Sequence, residues 1–416
     1  MLTKSDMNAG PLAQAKQRIN QWDPHIHAFV TVMDVNEEGA DMHSGPLAGL
    51  TVGIKDIIDV AGLPTRNGSD ACLDAKPASC DAPVVAALRA AGASIVGKTT
   101  TTEFAFTDPT PCRNPHDLRR SPGGSSSGSG AAVAAGLVDI ALGTQTAGSL
   151  CRPAAYCGAV GFKPSAGVLS MEGVTPLAHS FDAVGIIAGS VEKAQIAFEA
   201  MSPECANSGN LEKARVTATS GLWKTDVAPQ QDAIAALRDA ELAATGSGVH
   251  LTAHPLEADV DAIVDAHRVV MTSEAATAHA GMLRGVRAKM LKQKFAAGLR
   301  AGMSVSRDAL VAAKQLLAQE KTAFWTGMSE IDVVITLPVP EGPPLMDGTT
   351  GYQDWLTPWT VFGGPLVCLP WGLDGLGRPR SVMLAAHPGQ DAWLLAFAGM
   401  LEACAPDLPA PKLPTG

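Results

Sequence analysis

The segment SPGGSSSGSG, residues 121–130, contains five serines and four glycines, and its interpretation decides the fold. A flexible linker would have this composition, but the segment runs directly into GAAVAAGL (130–137), an Ala-rich stretch that predicts a helix. A phosphate-binding loop would require the pattern G-x-x-x-x-G-K-[ST], and no lysine follows these glycines. The flanks therefore favour a catalytic loop, in which glycines give the backbone room and serines hydrogen-bond it or react.

The stretches around this loop alternate between strand and helix patterns. Short β-branched runs predict strands in LAGLTVGIKDIID (47–59) and SIVGKTT (94–100). Between them, DAPVVAALRAAGA (81–93) has the apolar spacing of an amphipathic helix, with Asp81 as its N-cap. A buried strand, VDIALGT (138–144), is expected after the loop. This β–α–β succession predicts an α/β fold.

The second half of the chain begins with a helical section and then returns to strands. Periodicity predicts helices at 228–246, 306–328 and 391–403, and strands at 331–339, 365–372 and 379–386. No internal repeat or linker is evident. We therefore predict a single domain over residues 1–416, with core motifs at 45–190, a helical variable section at about 205–330 and C-terminal strands and a helix at 331–405.

Composition excludes several classes of function. The 416 residues are 46% hydrophobic and 17% charged, which is typical of a globular chain large enough for an enzyme. A net charge of −10, no Lys/Arg-rich run and only 5% aromatic residues argue against nucleic-acid binding. Eight cysteines without a C-x-x-C pair argue against a disulfide framework. The start, MLTKSDMNAG, lacks an apolar signal core, so we predict a cytoplasmic protein that does not enter membranes.

One catalytic interpretation makes Ser126 the nucleophile. GSSSG (124–128) matches the nucleophile elbow G-x-S-x-G, and His250, His267, His279 or His387 could then act as the base. Such an elbow follows a buried strand, whereas RRSPGG precedes this one, with a proline and two glycines where the strand would end. The context therefore counts against the elbow.

A wider window gives a second catalytic interpretation. The stretches GLTVGIKDIIDVAGLPT (49–65) and LGTQTAGSLCRPAAYCGAVGFKPS (142–165), with the loop between them, resemble the amidase signature family. That family's core reads G-G-S-S-G-G-S and then T-D-x-G-G-S-x-R-x-P-A, with a lysine about 70 residues before the first motif. Here Lys55, Ser125 and Ser149 are separated by 70 and 24 residues, as in the family. The resemblance covers roughly 45–190 and implies the amidase-signature fold, a large twisted mixed β-sheet covered by helices on both faces.

The resemblance also implies a mechanism. Ser149 would be the nucleophile, Lys55 the base and Ser125 the proton relay on a cis peptide bond. The oxyanion hole would be formed by the backbone N–H groups of Thr146, Ala147 and Gly148. Lys55 can accept a proton only if its pKa lies well below about 10.4, as burial would ensure. Asp56 follows it on a strand and would point to the opposite face. No cofactor or metal is required.

Each of the three residues also has an ordinary interpretation. Lys55 could be a surface lysine, Ser125 one loop serine among several, and Ser149 a helix cap before Pro153. These interpretations are stronger when each residue is taken alone. They are weaker together, because three independent positions match the family's spacing.

Two departures from the family pattern bear on the substrate. Ala147 replaces the second glycine before the nucleophile, and Arg152 lies three residues after Ser149 instead of two. This shifted spacing resembles the malonamidase branch, in which the arginine binds the substrate's carboxylate, as a guanidinium can do with two hydrogen bonds. The alternative is that Arg152 forms a structural pair with a buried acid.

Further candidates lie outside the motifs. Three tryptophans could border the pocket or pack in the core: Trp355, Trp359 and Trp371. Three polar residues on an expected helix could contact the substrate, although their spacing matches no metal site: His267, Glu274 and His279.

We therefore expect a stand-alone amidohydrolase that cleaves a small amide through an acyl-enzyme and releases ammonia or an amine. The substrate could carry a carboxylate, as malonamate does; allophanate, carbamate, urethane and aryl-amide cleavage are alternatives on this scaffold. An amidotransferase A-type subunit and a non-catalytic binding protein are less favoured. The expected partners are the small-molecule amide and, in a homodimer, a second copy of the chain.

Overall fold

Eleven strands form one sheet in the computed structural model, which describes residues 10–33, 44–208 and 215–413. The strands are β1 (Phe29–Val32), β2 (Thr51–Lys55), β3 (Ser94–Thr99), β4 (Ile140–Gln145), β5 (Val160–Lys163), β6 (Ala183–Ala188), β7 (Thr217–Ser220), β8 (His250–Thr252), β9 (Val333–Thr336), β10 (Leu366–Leu373) and β11 (Pro379–Ala385). Their order across the sheet is β1-β3-β2-β4-β6-β5-β10-β11-β9-β7-β8. Parallel pairs join β2 to β3 and β4, and β7 to β8 and β9, whereas the other pairs are antiparallel.

Helices precede, connect and follow these strands. They are α1 (Pro11–Ile26), α2 (Pro83–Ala90), α3 (Ser127–Ala134), α4 (Cys151–Cys157), α5 (Val191–Met201), α6 (Gln231–Gly246), α7 (Val260–His279), α8 (Gln293–Met303), α9 (Arg307–Gly327), α10 (Thr357–Phe362) and α11 (Asp391–Glu402). Together with the large mixed sheet they confirm the α/β fold class expected from the sequence.

The central strands are buried along their whole length. Every residue of β2, β4 and β6 is buried, as is typical of strands covered on both faces of a sheet. Helix α3 packs against β2, β3 and β4, and α5 packs against β5 and β6. These strands therefore form a rigid platform.

The platform determines where functional residues meet. Strands β2, β3 and β4 are parallel neighbours, so their carboxyl ends lie at one edge of the sheet. β2 ends at Lys55, and β4 ends just before the segment Thr146–Ser149. The carboxyl ends of such strands are where α/β folds usually build their sites.

Some local predictions need correction. Asp81 does not cap α2, whose N-cap is Ala82; its carboxylate accepts hydrogen bonds from the N–H of Ala61 (2.8 Å) and Nε of Arg89 (2.9 Å). The middle section, expected to be helical, also contributes β7 and β8, which extend the sheet beyond β9. Both are short and polar, and they lack the alternation that signals a strand.

The single-domain assignment stays a prediction. Residues 1–9, 34–43, 209–214 and 414–416, which that assignment includes, lie outside the described residues. Within the described ranges, no helix combines the length and the apolar character needed to cross a membrane.

Candidate active site

Lys55 lies at the end of β2 and is fully buried. Its Nζ is 2.6 Å from Ser125 Oγ and 2.7 Å from Thr144 Oγ1. Burial lowers the pKa of Lys55 well below its ordinary value, and the charge of Asp182 offsets only part of that effect. The lowered pKa makes the side chain better suited to act as a base than an exposed lysine. Thr144 is not among the residues selected from the sequence, although it lies two residues before Thr146, the first residue of the expected oxyanion hole.

The neighbouring carboxylate does not compete for this amine. Asp56 Oδ1 lies 3.0 Å from Nζ of Lys98, and both side chains are buried. Asp56 thus has its own cationic partner, as expected from the alternation of side chains along a strand. Within the described part of the chain, Lys55 therefore has no tight carboxylate partner that would keep it charged.

The Ser/Gly loop approaches Lys55 through a cis peptide bond between Gly124 and Ser125. Gly123, just before it, has a φ of +84°, a conformation that glycine adopts readily. Ser127 Oγ donates to the carbonyl of Gly123 at 2.7 Å. A Cβ at Gly128 would overlap the backbone atoms Ala28 O and Thr100 N, so this glycine allows α3 to pack closely. The loop therefore uses its glycines for space and its serines for fixation.

Ser126 is held in a structural position. Its hydroxyl donates to the carbonyl of Thr144 and accepts from the N–H of the same residue, both at 3.2 Å. It is fully buried at the start of α3, and no strand leads into it. The geometry therefore gives no support to the nucleophile elbow. Its N–H also donates to Ser149 O at 3.1 Å, which brings Ser149 beside the loop.

In the segment between β4 and α4, the carbonyls of residues 146–149 have hydrogen-bond partners, whereas the N–H groups of residues 146–148 donate to no described residue. The carbonyls of Thr146, Ala147, Gly148 and Ser149 accept hydrogen bonds from His267, Thr360, Arg152 and Ser126, respectively. Among the described residues, no acceptor lies within hydrogen-bond distance of the N–H groups of Thr146, Ala147 and Gly148. Three consecutive N–H groups without acceptors are what an oxyanion hole needs. α4 begins at Cys151 with Leu150 as its N-cap, so Ser149 does not cap that helix.

Asp182, which the sequence analysis did not select, anchors this segment. Its Oδ1 accepts from Thr146 Oγ1 at 2.6 Å, and its Oδ2 accepts from the N–H groups of Leu177 (2.8 Å) and Ala178 (2.9 Å). Burial raises the pKa of Asp182 above its ordinary value, and these hydrogen bonds offset only part of that rise. Asp182 belongs to the stretch FDAVG (181–185), which lies within the range 45–190 that the family resemblance covers.

Arg152 is placed differently from the expected carboxylate binder. Its Nε and Nη2 donate to the carbonyl of Gly124 (3.1 and 2.6 Å), and its Nη1 donates to that of Gly351 (2.7 Å). The side chain is only 2% exposed. The buried-acid alternative is not met either, since no carboxylate among the described residues forms an ion pair with it. Arg152 braces the carbonyl that precedes Ser125, so carboxylate binding stays a prediction that the geometry does not favour.

The three polar residues of α7 have separate partners. His267 Nε2 bonds Thr146 O at 2.8 Å, and His279 Nε2 bonds Pro176 O at 2.6 Å. Glu274 accepts from Lys314 Nζ at 2.7 Å and from the N–H and hydroxyl of a serine in the loop before β6. They attach α7 to the loops around the site, and only His267 reaches the oxyanion segment.

The three tryptophans are core residues. Trp355, Trp359 and Trp371 are each 1% exposed. Trp359 packs in an aromatic cluster with Trp223 and Phe324, with ring centroids 4.7 and 5.5 Å away. The same stretch reaches the site through two other side chains: Leu356, which lies against Gly148, and Thr360, which bonds Ala147 O.

Comparison with known sequences supports the resemblance. A family model described as Amidase matches residues 12–395. The A subunit of glutamyl-tRNA(Gln) amidotransferase from Symbiobacterium thermophilum is 41% identical over 215 residues, which is 47% of this chain and 44% of that protein. The 1-carboxybiuret hydrolase subunit AtzE from Pseudomonas sp. (strain ADP) is 46% identical over 162 residues, 38% of this chain and 35% of that subunit. The aligned parts thus span less than half of either relative.

Solved structures match over nearly the whole chain. An inhibitor-bound structure of a vestigial protein complex, described as revealing the evolutionary origins of an s-triazine catabolic enzyme, has a TM-score of 0.83 at 28% identity over 95% of both chains. A crystal structure of an amidase has a TM-score of 0.85 at 25% identity, over 97% of this chain and 98% of the other. Peptide amidase from Stenotrophomonas maltophilia, at 23% identity and a TM-score of 0.82, shares the fold over 97% and 95%. From the family match over residues 12–395, the chain belongs to the amidase family.

Proposed function

We propose that this chain hydrolyses a small linear amide, with Ser149 as nucleophile, Ser125 as proton relay and Lys55 as base. The observation that carries the proposal is the fully buried Lys55 Nζ, which lies 2.6 Å from Ser125 Oγ and has no carboxylate partner among the residues that the structure describes. A charged lysine in that position would be poorly solvated, so the neutral amine is favoured. A neutral amine beside a serine can accept a proton from it.

The proposed reaction has two stages, acylation of Ser149 and hydrolysis of the acyl-enzyme. Ser149 Oγ attacks the amide carbon and passes its proton to Ser125, which passes its own to Lys55. The negative charge that develops on the carbonyl oxygen is stabilised by the N–H groups of Thr146, Ala147 and Gly148. Collapse of the tetrahedral intermediate breaks the C–N bond, and the proton returns through Ser125 to the leaving nitrogen. Water then attacks the acyl-enzyme with the same groups and regenerates Ser149.

The substrate is proposed only as a class. Similarity to a 1-carboxybiuret hydrolase subunit and to the complex described as revealing the origins of an s-triazine catabolic enzyme supports small linear amides and ureas as the first compounds to test. A carboxylate-bearing amide such as malonamate, and the malonamidase branch itself, remain predictions without support from the contacts of Arg152. Cleavage of carbamates, urethanes or aryl amides also remains a prediction, and so does the homodimer.

A second candidate function is an amidotransferase subunit. Similarity to the A subunit of glutamyl-tRNA(Gln) amidotransferase supports it. Such a subunit would use the same serine chemistry but pass ammonia to a partner. Ammonia release by the purified chain alone distinguishes this candidate from a stand-alone hydrolase.

The test is a screen of about two dozen amides, ureas and carbamates for ammonia or amine release, with wild type, Ser149→Ala and Ser126→Ala side by side. We expect wild type to hydrolyse at least one compound and Ser149→Ala to lose on the order of 10³-fold or more in rate. Ser126→Ala is the matched control, because it removes a neighbouring buried hydroxyl, and it should keep most of the activity. Equal activity of wild type and Ser149→Ala would refute the proposed nucleophile.

A further inference from the structure

Two of the three peptide units whose N–H groups form the proposed oxyanion hole are hydrogen-bonded at their carbonyl ends by distant side chains. The carbonyl of Thr146 and the N–H of Ala147 belong to one peptide unit, and the carbonyl of Ala147 and the N–H of Gly148 belong to the next. Each carbonyl accepts a hydrogen bond from a buried side chain far away in sequence: His267 Nε2 at 2.8 Å for the first and Thr360 Oγ1 for the second. The opposite end of each unit, its N–H group, has no acceptor within the described part of the chain.

A hydrogen bond to a carbonyl affects the other end of the same amide. It draws electron density towards oxygen, and the N–H group becomes a stronger donor, as in chains of hydrogen bonds that polarise one another. It also fixes the orientation of the peptide plane. Both effects would favour stabilisation of a negative charge that faces the N–H groups, since preorganised donors need not reorient during the reaction.

His267 is suited to this role by its surroundings. It lies on α7, is 3% exposed and packs against Phe181, with ring centroids 4.3 Å apart. Because a carbonyl can only accept, Nε2 must carry a proton to bond Thr146 O. Burial lowers the pKa of His267 to about 4, so the ring is neutral at pH 7 and adds no charge beside Lys55.

The hydroxyl of Thr360, on α10, is directed by a second side chain. Gln145 Nε2 donates to Thr360 Oγ1 at 3.0 Å, which leaves the hydroxyl proton for Ala147 O. Gln145 Oε1 in turn accepts from the N–H groups of Leu150 (3.1 Å) and Cys151 (3.0 Å). A threonine hydroxyl has a single proton, so this network fixes where it points.

We propose that His267 and Thr360 are positioning residues that orient and polarise the N–H groups of Ala147 and Gly148 for the oxyanion. The inference rests on the proposed function, because it assumes that Ser149 attacks a substrate held against these amides. It assigns a role in catalysis to two side chains that lie outside the family motifs quoted above.

The test compares rates of modification by a fluorophosphonate probe, whose phosphoryl oxygen would occupy the same hole. Two substitutions remove a donor and keep the volume, His267→Phe and Thr360→Val. Two keep a donor, His267→Gln and Thr360→Ser. Matched controls on the same helices remove a bond that does not reach the oxyanion segment: His279→Phe, which loses the bond to Pro176 O, and Thr357→Val, which loses a bond within its own segment. Thermal unfolding is measured for every variant.

We expect His267→Phe and Thr360→Val each to be modified about tenfold more slowly, less than the 10²–10³-fold known for direct loss of an oxyanion donor. His267→Gln and Thr360→Ser should recover to within about threefold of wild type. The controls should lose thermal stability without a comparable loss of rate. If His267→Phe does not fold, the Thr360 pair and His267→Gln decide.

Unchanged rates in His267→Phe and Thr360→Val would overturn the inference, and so would equal losses in the donor-keeping variants, which would indicate packing alone. Both outcomes leave the proposed function intact, provided that wild type is modified and Ser149→Ala is not. If folded wild type resists the probe and also releases no ammonia from any compound, the proposed function fails and this inference fails with it.

Discussion

Replacing Arg152 by methionine separates the two roles considered for this side chain. Methionine has similar length and fills the buried space, but it removes three N–H donors from the carbonyls of Gly124 and Gly351. Gly124 O belongs to the peptide unit that leads into Ser125. Loss of the hydrogen bonds from Arg152 to this oxygen would therefore shift Ser125, the proposed proton relay. We therefore expect Arg152→Met to lower stability and to lower kcat/KM on every substrate by a similar factor.

The size of the effect follows from the contacts. One buried carbonyl, that of Gly124, and one partly buried carbonyl, that of Gly351, lose their donors. An unsatisfied buried group costs about 1–3 kcal/mol. Removal of a buried charge without an ion-pair partner offsets part of that cost. We expect a net loss of about 2–4 kcal/mol in the free energy of unfolding. For a chain of 416 residues this corresponds to a decrease of about 2–5 °C in Tm.

The assay pairs thermal unfolding with kinetics on two amides that differ only in a carboxylate. Arg152→Lys is included because one ammonium cannot reproduce the planar fork, so it should restore only part of the stability. Arg113→Met is the control, because Arg113 also donates to a carbonyl, at 3.0 Å, but is exposed. A loss of kcat/KM confined to the carboxylate-bearing amide, with Tm unchanged, would refute the structural role and restore the carboxylate-binding one.

Three further predictions concern Lys55 and the Ser/Gly loop. Lys55→Met should lose about 10²–10⁴-fold in kcat, and wild-type activity should rise with pH through a pKa below about 10.4; a flat pH profile would contradict the lysine base. Burial lowers the pKa of Lys55 in the folded state, so the unfolded chain binds more protons than the folded one between the folded pKa and about 10.4. Burial of Lys55 therefore destabilises wild type fully at pH values below the folded pKa and not at all above about 10.4. The Tm of Lys55→Met minus that of wild type should therefore decrease as pH rises across that window, and a constant difference would argue against a lowered pKa. Gly128→Ala should destabilise the protein by about 1–3 kcal/mol, since its Cβ would overlap Ala28 O and Thr100 N, whereas Gly246→Ala, with open space around it, should be neutral or slightly stabilising in urea unfolding.

The central part of the sheet was predictable because its strands contain short apolar, partly β-branched runs. β2 and β4 were expected within 47–59 and 138–144 and lie at Thr51–Lys55 and Ile140–Gln145. β7 and β8 were missed, since three or four residues rich in threonine carry no periodic signal. Their strand conformation comes from pairing with each other and with β9.

The candidate site was predictable only where its residues lie in local motifs. The spacing of Lys55, Ser125 and Ser149 matched that of the family's catalytic residues. In the structure, Lys55 Nζ lies 2.6 Å from Ser125 Oγ. The partners of the oxyanion segment could not be found in the same way. His267 is 121 residues from Thr146 and is expected from the sequence only as a base or a substrate contact. Thr360 is 213 residues from Ala147, and no local pattern links either residue to the oxyanion segment.

The most direct test of the account is to map the site of covalent modification. Wild type is treated with a fluorophosphonate, digested and analysed by mass spectrometry, together with Ser149→Ala and Lys55→Met. If Ser149 is the nucleophile and Lys55 the base, wild type carries one adduct, on the peptide that contains Ser149. The adduct is lost in Ser149→Ala and forms much more slowly in Lys55→Met. An adduct on Ser126, or modification that is undiminished in Ser149→Ala, would contradict the account.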